Sequence, residues 1–390
     1  MRIKQLPEDF RVEERIRFPG DRGAYAYYRI EKRGVSTTEV RDVLASRLKV
    51  TPSALDFPAL KDALAVAVQY ASIRKREPEV IEDKGFIAQR VQWGPRALRP
   101  IDLLGNLFTI VVRDLSEEEA GALAETCWAM ETQGLPNYFD EQRFGSLSDE
   151  GFIGKAILMR DAEKAVRLYL AVPMIGDPAE IREFKALVQS HWGQWGYLLH
   201  QAPRPSNLRS VITFLKDHPH DYRKAVNLIQ DRLLSIYLSA YQSWVWNHIL
   251  ARYLERDAPA PRSVEIAGTP FPLLEAGDDL EALQKLEVDM PRLTSCYAGA
   301  IAEAADKVFA MEGLDIRDFK ARILRRVYLS KGERPVWFAP AELEVGAPFR
   351  DERAPGRWAL SVRFSLQPGS YASLVLKAAA ARIGAEFRTR

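Results

Sequence analysis

Lys61-Asp62 stands immediately ahead of Leu64-Ala-Val-Ala-Val-Gln-Tyr70, a run rich in apolar, β-branched and aromatic residues that reads as a strand. A carboxylate at the lip of a strand projects into a cleft while the strand fixes its position. Asp62 is therefore a candidate nucleophile or general base. Most Lys-Asp pairs are solvated turns, and the dipeptide alone does not separate the two readings. Other chemistry is poorly provided for. The chain has no Gly-x-Gly-x-x-Gly and no phosphate-binding P-loop. Cys127 and Cys296 are far apart and form no metal-ligand spacing, and His218-Pro-His220 has no further ligands beside it. The expectation is a chain without a metal or cofactor site.

The elements that would position such a carboxylate are legible around it. Residues 36–48 predict a helix: Ser36 and Glu39 make a capping box, and Val40, Val43, Leu44 and Leu48 share one face. A second helix follows Ser116, with Glu119 completing its box and Leu123, Ala124 and Cys127 as the stripe. Leu107-Phe-Thr-Ile-Val-Val112 reads as another strand. In the clearest strand, Leu360, Val362, Phe364 and Leu366 alternate with polar residues before Pro368-Gly369 turns the chain. Residues 371–382 look helical. Both ends of the chain are thus mixed α and β. Residues 150–255 are dominated instead by helical patterns, including a long one from about Leu228 to Leu254. Residues 256–291 are looser and acidic.

The chain has 390 residues, of which 47% are hydrophobic, too many for one ordinary domain, so two are expected. Net charge is only +2, so an anionic polymer would have to be held by local patches rather than by the whole-molecule field. Two windows qualify: Arg204–Arg232, with six Lys/Arg against three Asp, and Asp315–Arg334, with seven Lys/Arg against three acids. Arg322, Arg325 and Arg326 have the spacing of one helical face, and Arg74-Lys75-Arg76 adds a short basic stretch. The bland reading of each window is a solvated face. Two lone cysteines fit a reducing compartment. The charged first residues have no apolar signal core, and no apolar run reaches membrane-spanning length. The expectation is a soluble, cytoplasmic protein.

Four segments carry a resemblance to the TruD family of tRNA pseudouridine synthases. Ala59-Leu-Lys-Asp-Ala-Leu-Ala-Val-Ala-Val-Gln69 is similar to its Gly-x-Lys-Asp-x-x-Ala-x-Thr-x-Gln signature. Pro136-Asn-Tyr-Phe-Asp-Glu-Gln-Arg-Phe-Gly145 resembles its Pro-Asn-Tyr-Phe-Gly-x-Gln-Arg-Phe-Gly. Gly105-Asn-Leu-Phe108 resembles its Gly-Asn-x-Phe, and Arg363–Ser373 its closing motif. Pro7–Glu14 and Lys32–Thr37 are weaker echoes, and all six occur in family order. The chain departs from the pattern at Ala59, Ala63, Leu64, Ala67, Ser36 and Asp140. Ala59 matters only where the backbone needs positive φ.

The resemblance implies an α+β fold: a mixed, largely antiparallel sheet with helices, formed from both chain ends, with a mainly helical α+β domain inserted. The expected boundaries are 1–155 with 336–390 for the catalytic domain, and 156–335 for the insertion. The implied activity is conversion of a uridine in tRNA, at position 13, to pseudouridine, with Asp62 as the catalytic carboxylate on a base flipped out of the RNA. That chemistry needs a cation to keep the carboxylate ionised in a dry pocket and an aromatic to hold the base. By the resemblance these are Lys4 and Phe108, with Asn106 nearby and Phe364 as a further wall. Lys61, Gln69, Asn137 and Arg143 complete the set of candidate substrate contacts. Asn137, Arg143 and Gln69 read equally as buried polar groups bracing the site, and Phe108 on its own pattern reads as core. The partner is tRNA, the oligomeric state monomeric. The alternative, motivated by the alanines around Asp62, is a weak or inactive tRNA-binding or chaperone protein on the same fold.

Overall fold

The computed structural model describes residues 1–61, 65–74, 78–204, 206–256, 262–274 and 280–389. Asp62, Ala63, Leu64, Lys75 and Arg76 lie outside the described residues. The chain divides into two compact units, Met1–Leu135 with Phe338–Arg390, and Pro136–Trp337. The expected first crossing, after residue 155, falls inside the second unit. The aromatics of 136–152 explain this. Tyr138 packs on Phe271, Phe139 on Trp246, and Phe144 and Phe152 on Trp244, all within Pro136–Trp337.

The first unit is α+β. Its strands are β1 (Phe10–Ile16), β2 (Tyr25–Arg33), β3 (Leu55–Asp56), β4 (Val66–Ile73), β5 (Val80–Asp83), β6 (Phe86–Gly94) and β7 (Leu103–Leu115), with Ala341–Val345, Phe349–Arg350 and Trp358–Leu366 from the chain's other end. They form one sheet, whose main path runs Ala341–Val345, Trp358–Leu366, β7, β1, β4, β2, β6, β5. Among the described pairings, β1 with β4 is parallel and the rest are antiparallel. The sheet is therefore mixed and largely antiparallel. The period-2 alternation near the end of the chain places Leu360, Val362, Phe364 and Leu366 inward, all of them buried.

Helix α1 (Thr37–Leu48) starts at the Ser36–Glu39 capping box, and α2 (Glu117–Gln133) at the Ser116–Glu119 box. Val40, Leu44 and Leu48 of α1 bury against Tyr28, Ile30, Phe86 and Ala88 of the sheet. The C-terminal helix Ala372–Ile383 packs against α2. The amino terminus is pinned into the same body. Arg2 exchanges backbone hydrogen bonds with Arg113 at 2.8 Å, and Ile3 N–H donates to the Arg388 carbonyl. Beneath it Arg113, buried, reaches Asp9 at 2.8 Å and Asp351 at 2.9 Å. Asp9 also accepts from the Leu6 amide, which closes the Pro7–Asp9 turn.

The second unit is mainly helical, organised on the helix Asp231–Leu254, with the hairpin Arg262–Ile266 and Thr269–Leu273. Tyr237, Tyr241, Val245, Trp246 and Ile249 of that helix are buried. Residues 315–334 depart from expectation. They form a short 3-10 turn, Ile316–Asp318, followed by an irregular strap, so Arg322, Arg325 and Arg326 do not share a helical face. Phe319, Ile323 and Val327 of the same stretch are buried anchors four residues apart, a helix-like spacing without a helix. Backbone groups of the strap are satisfied by side-chain amides from elsewhere. Asn227 Nδ2 donates to the Ile323 carbonyl, and its Oδ1 accepts from Arg325 N–H. Gln242 brackets Ser330 in the same way. A backbone whose polar groups find such partners has no need of the i to i−4 ladder.

Candidate active site

Register decides which side chains of the first unit meet. Across β1 and β7, Val12 lies opposite Phe108 and Glu14 opposite Asn106. Across β7 and Trp358–Leu366, Phe108 lies opposite Phe364 and Asn106 opposite Leu366. Directly opposed residues share a sheet face, so Glu14, Asn106, Phe108 and Phe364 form two adjacent rows on one face. Gly105 makes that pairing close. A Cβ there would stand 2.5 Å from the Leu366 carbonyl oxygen, so glycine is required for backbone approach rather than for its φ.

The aromatic row is continuous. Phe108 contacts Phe10 edge-on at 5.9 Å and Phe364 at 5.8 Å between centroids. Lys4 joins it from the pinned terminus, its ammonium 4.3 Å from the Phe10 ring centroid, an attractive cation–π geometry. Lys4 has φ of 58°, the left-handed region that is uncommon outside glycine. Strain of that kind persists where surrounding structure enforces it, and here the Arg2, Ile3 and Asp9 bonds do so.

The polar row centres on Lys61. Its ammonium donates to Asn106 Oδ1 at 2.5 Å and lies 3.2 Å from Glu14 Oε1. The other Glu14 oxygen accepts from the Tyr70 amide at 2.8 Å. Burial pushes the Glu14 carboxyl above the ordinary glutamate range, against the opposing pull of Lys61 and the Tyr70 N–H. The Lys61 backbone is held as well, its N–H donating to Thr37 Oγ1 at 2.8 Å. The Thr37 hydroxyl also lies 2.9 Å from Gln69 Oε1, so the first residue of α1 ties the Lys61 connection to β4. Gln69 is fully buried, and its Nε2 meets no acceptor among the described residues. Ala59 does not adopt positive φ, so the missing glycine there places no strain on this connection.

The first unit thus brings Lys4, Lys61, Gln69, Asn106, Phe108 and Phe364 into two touching rows, with Lys61 directly preceding Asp62. Asn137 and Arg143 belong to the second unit, and their polar groups are engaged inside it. Asn137 donates to the Pro335 carbonyl and accepts from Arg334 Nη2 at 2.8 Å. Arg143 donates to Ser243 Oγ at 3.0 Å and lies over the Phe139 ring. The geometry of both is that of bracing. Glu14 and Thr37 escaped the reading of single residues. Both sit inside the two weaker family echoes, and the signal available for Glu14 was an acidic residue on the inward phase of an alternating strand.

These arrangements match known proteins along the chain. A family model described as tRNA pseudouridine synthase D (TruD) matches residues 1–266. A relative from Geobacter sp. (strain M21), named tRNA pseudouridine synthase D, is 30% identical over 96% of this chain and 94% of its own. One of the same name from Aquifex aeolicus is 26% identical over 97% of each. A crystal structure from Methanosarcina mazei, assigned to the same kind of protein, superposes with a TM-score of 0.69 at 25% identity, covering 98% of this chain and 93% of that one. These likenesses define an RNA-modifying isomerase. The chain belongs to the tRNA pseudouridine synthase D (TruD) family.

Proposed function

We propose that the chain isomerises the uridine at position 13 of tRNA, with Asp62 as its catalytic carboxylate. The observation that carries this reading is the pair of rows on one sheet face: an aromatic wall, Phe10–Phe108–Phe364, beside a cationic and amide cluster at Lys61, the residue before Asp62. In the reaction the C1′–N1 glycosidic bond breaks, the uracil rotates, and a C1′–C5 bond forms. The proton lost from C5 is balanced by one gained at N1, so no oxidant or donor enters. Asp62 attacks C1′ or removes a proton from C2′, and either role requires it ionised. Lys4 and Lys61 supply the positive potential that favours the carboxylate. A base turned out of the RNA stacks on Phe108, with Phe364 behind it. Asn106 and Gln69, whose Nε2 meets no acceptor among the described residues, offer donors for the uracil edge, since a buried N–H left without an acceptor costs about 1–3 kcal/mol. Mapping pseudouridine in tRNA from cells with and without the protein tests the reading. Asp62→Asn should abolish the modification while leaving tRNA affinity near wild type. Turnover retained within about tenfold, or about 1.4 kcal/mol of barrier, would remove Asp62 from the mechanism.

A further inference from the structure

The second unit holds a cavity of about 300 Å³, none of whose lining residues belongs to the candidate active site. It lies where the two basic windows of the sequence meet. Lys224 and Phe214 come from the first window, and Leu324, Arg325 and Arg326 from the strap of the second. Asn227 fastens the two together through the Ile323 carbonyl and the Arg325 amide. Phe214, Leu228, Leu234, Leu324 and Val327 make the apolar half of the lining; Leu228 is 42% exposed, and the Phe214 ring lies 4.7 Å from that of His218. The charges are of two kinds. Lys224 is already paired with Asp221 at 3.1 Å. Arg325 and Arg326 are exposed and have no carboxylate partner among the described residues. The acids of the strap are occupied elsewhere: Asp315 pairs with Arg317, and Asp318 accepts from the Asp315 amide.

We propose that this cavity binds one unstacked nucleotide of a single-stranded RNA segment, its phosphate on Arg325 and Arg326 and its base on Phe214 and Leu228. The inference rests on the tRNA reading above and adds a second contact point to it. Charge selects the occupant. Two guanidinium groups in the lining, without a carboxylate partner among the described residues, match a phosphate, which takes planar, bidentate donors well. The apolar half of the lining, with its one aromatic residue, matches a base face, the recurring pairing in proteins that hold single strands. The volume stands at the lower end of small-molecule sites, which run roughly 300–1,000 Å³. It suits one base rather than a helix groove. Asp231, at the lining, disfavours a second phosphate inside and accepts N–H donors from a base edge. Tyr328, two residues beyond Arg326 in the strap, is 79% exposed and offers a stacking surface for the adjacent nucleotide.

The experiment measures binding of an unmodified tRNA transcript by fluorescence anisotropy across a salt series. It compares wild type, Arg325→Ala with Arg326→Ala, and Phe214→Leu, each checked for an unchanged thermal melt. The double arginine variant should weaken binding and flatten the log-log salt slope by about 0.7, the contribution of one neutralised single-strand phosphate. Phe214→Leu keeps an apolar wall but removes the ring. It should raise Kd by about 5- to 150-fold, the range of one lost stacking partner, without changing the salt slope. An unchanged slope in the arginine variant overturns the proposal. So does a Phe214→Leu protein that binds like wild type, because the strap would then touch only phosphates. Pseudouridine formation by wild type in the same transcripts is scored separately. If wild type forms none, the enzymatic reading fails whatever the variants do; if it turns over and the variants bind unchanged, the cavity alone is refuted.

Discussion

Lys61→Met isolates what the Glu14–Lys61 pair does. Two unit charges 3.2 Å apart attract by about 5 kcal/mol at an effective dielectric near 20. The Glu14 carboxyl is nevertheless held above its ordinary range, so desolvation outweighs that attraction and the pair stabilises the fold little. Removing the ammonium leaves a fully buried carboxylate with one Tyr70 N–H. The cost has a ceiling, because the protein escapes it by protonating Glu14. That ceiling is roughly 1.4 kcal/mol for each pH unit above the ordinary glutamate value near 4.3, or about 3.7 kcal/mol at pH 7. The sign follows from a folded pKa raised above the unfolded one. Stability is fully present below the ordinary glutamate value and is lost as pH rises toward the folded pKa. Urea unfolding at pH 5, 6 and 7 should therefore show the variant nearly wild type at pH 5 and progressively weaker above it. Adding Glu14→Gln, which keeps the acceptor for Tyr70 and removes the charge, should abolish the pH dependence and restore most of the loss. A loss equal at all three pH values would refute the argument, as would a double variant no more stable than Lys61→Met.

Phe108→Leu keeps most of the buried volume between Phe10 and Phe364 but drops the ring. Turnover should fall by about 5- to 150-fold, the worth of one base–aromatic stack, with an unfolding change under about 1.5 kcal/mol, and Phe108→Tyr should be milder. Comparing kcat/KM with urea midpoints checks this, and loss of folding alone would return Phe108 to a core role. Gly105→Ala should destabilise by about 1–3 kcal/mol and slow turnover as well, because the added Cβ would force β7 away from Leu366; a fully active, fully stable Gly105→Ala enzyme would show the row geometry to be dispensable. At Asp351, burial pushes the carboxyl up, but the Arg353 and Asp114 amides and the Arg113 guanidinium outweigh it and hold it below the usual range. A depressed folded pKa means stability present above the ordinary aspartate value and lost as pH falls below about 4. Asp351→Asn should blunt that acid loss in urea midpoints between pH 5 and 3.

The sequence by itself determined the elements that rest on local chemistry. Both capping boxes begin helices where Ser36 and Ser116 stand, because an N-cap hydroxyl and a glutamate three residues later need only each other. The alternation of 360–366 fixed an inward face, since strand side chains alternate whatever lies opposite. The spacing of Arg322, Arg325 and Arg326 misled for the complementary reason. Periodicity reports which side chains are buried, and only the fold reports where the intervening carbonyls and amides find partners, here on Asn227 and Gln242. The same limit applies to the site. Resemblance pointed at Lys4, Phe108 and Phe364 one at a time, but their contact through Phe10 follows from strand register and from a terminus pinned between Arg113 and Arg388. Glu14 became a partner of Lys61, and Arg325 and Arg326 came to line one cavity with Phe214, only through contacts between segments distant along the chain. Such pairings depend on long-range geometry, and no local pattern in the chain encodes them.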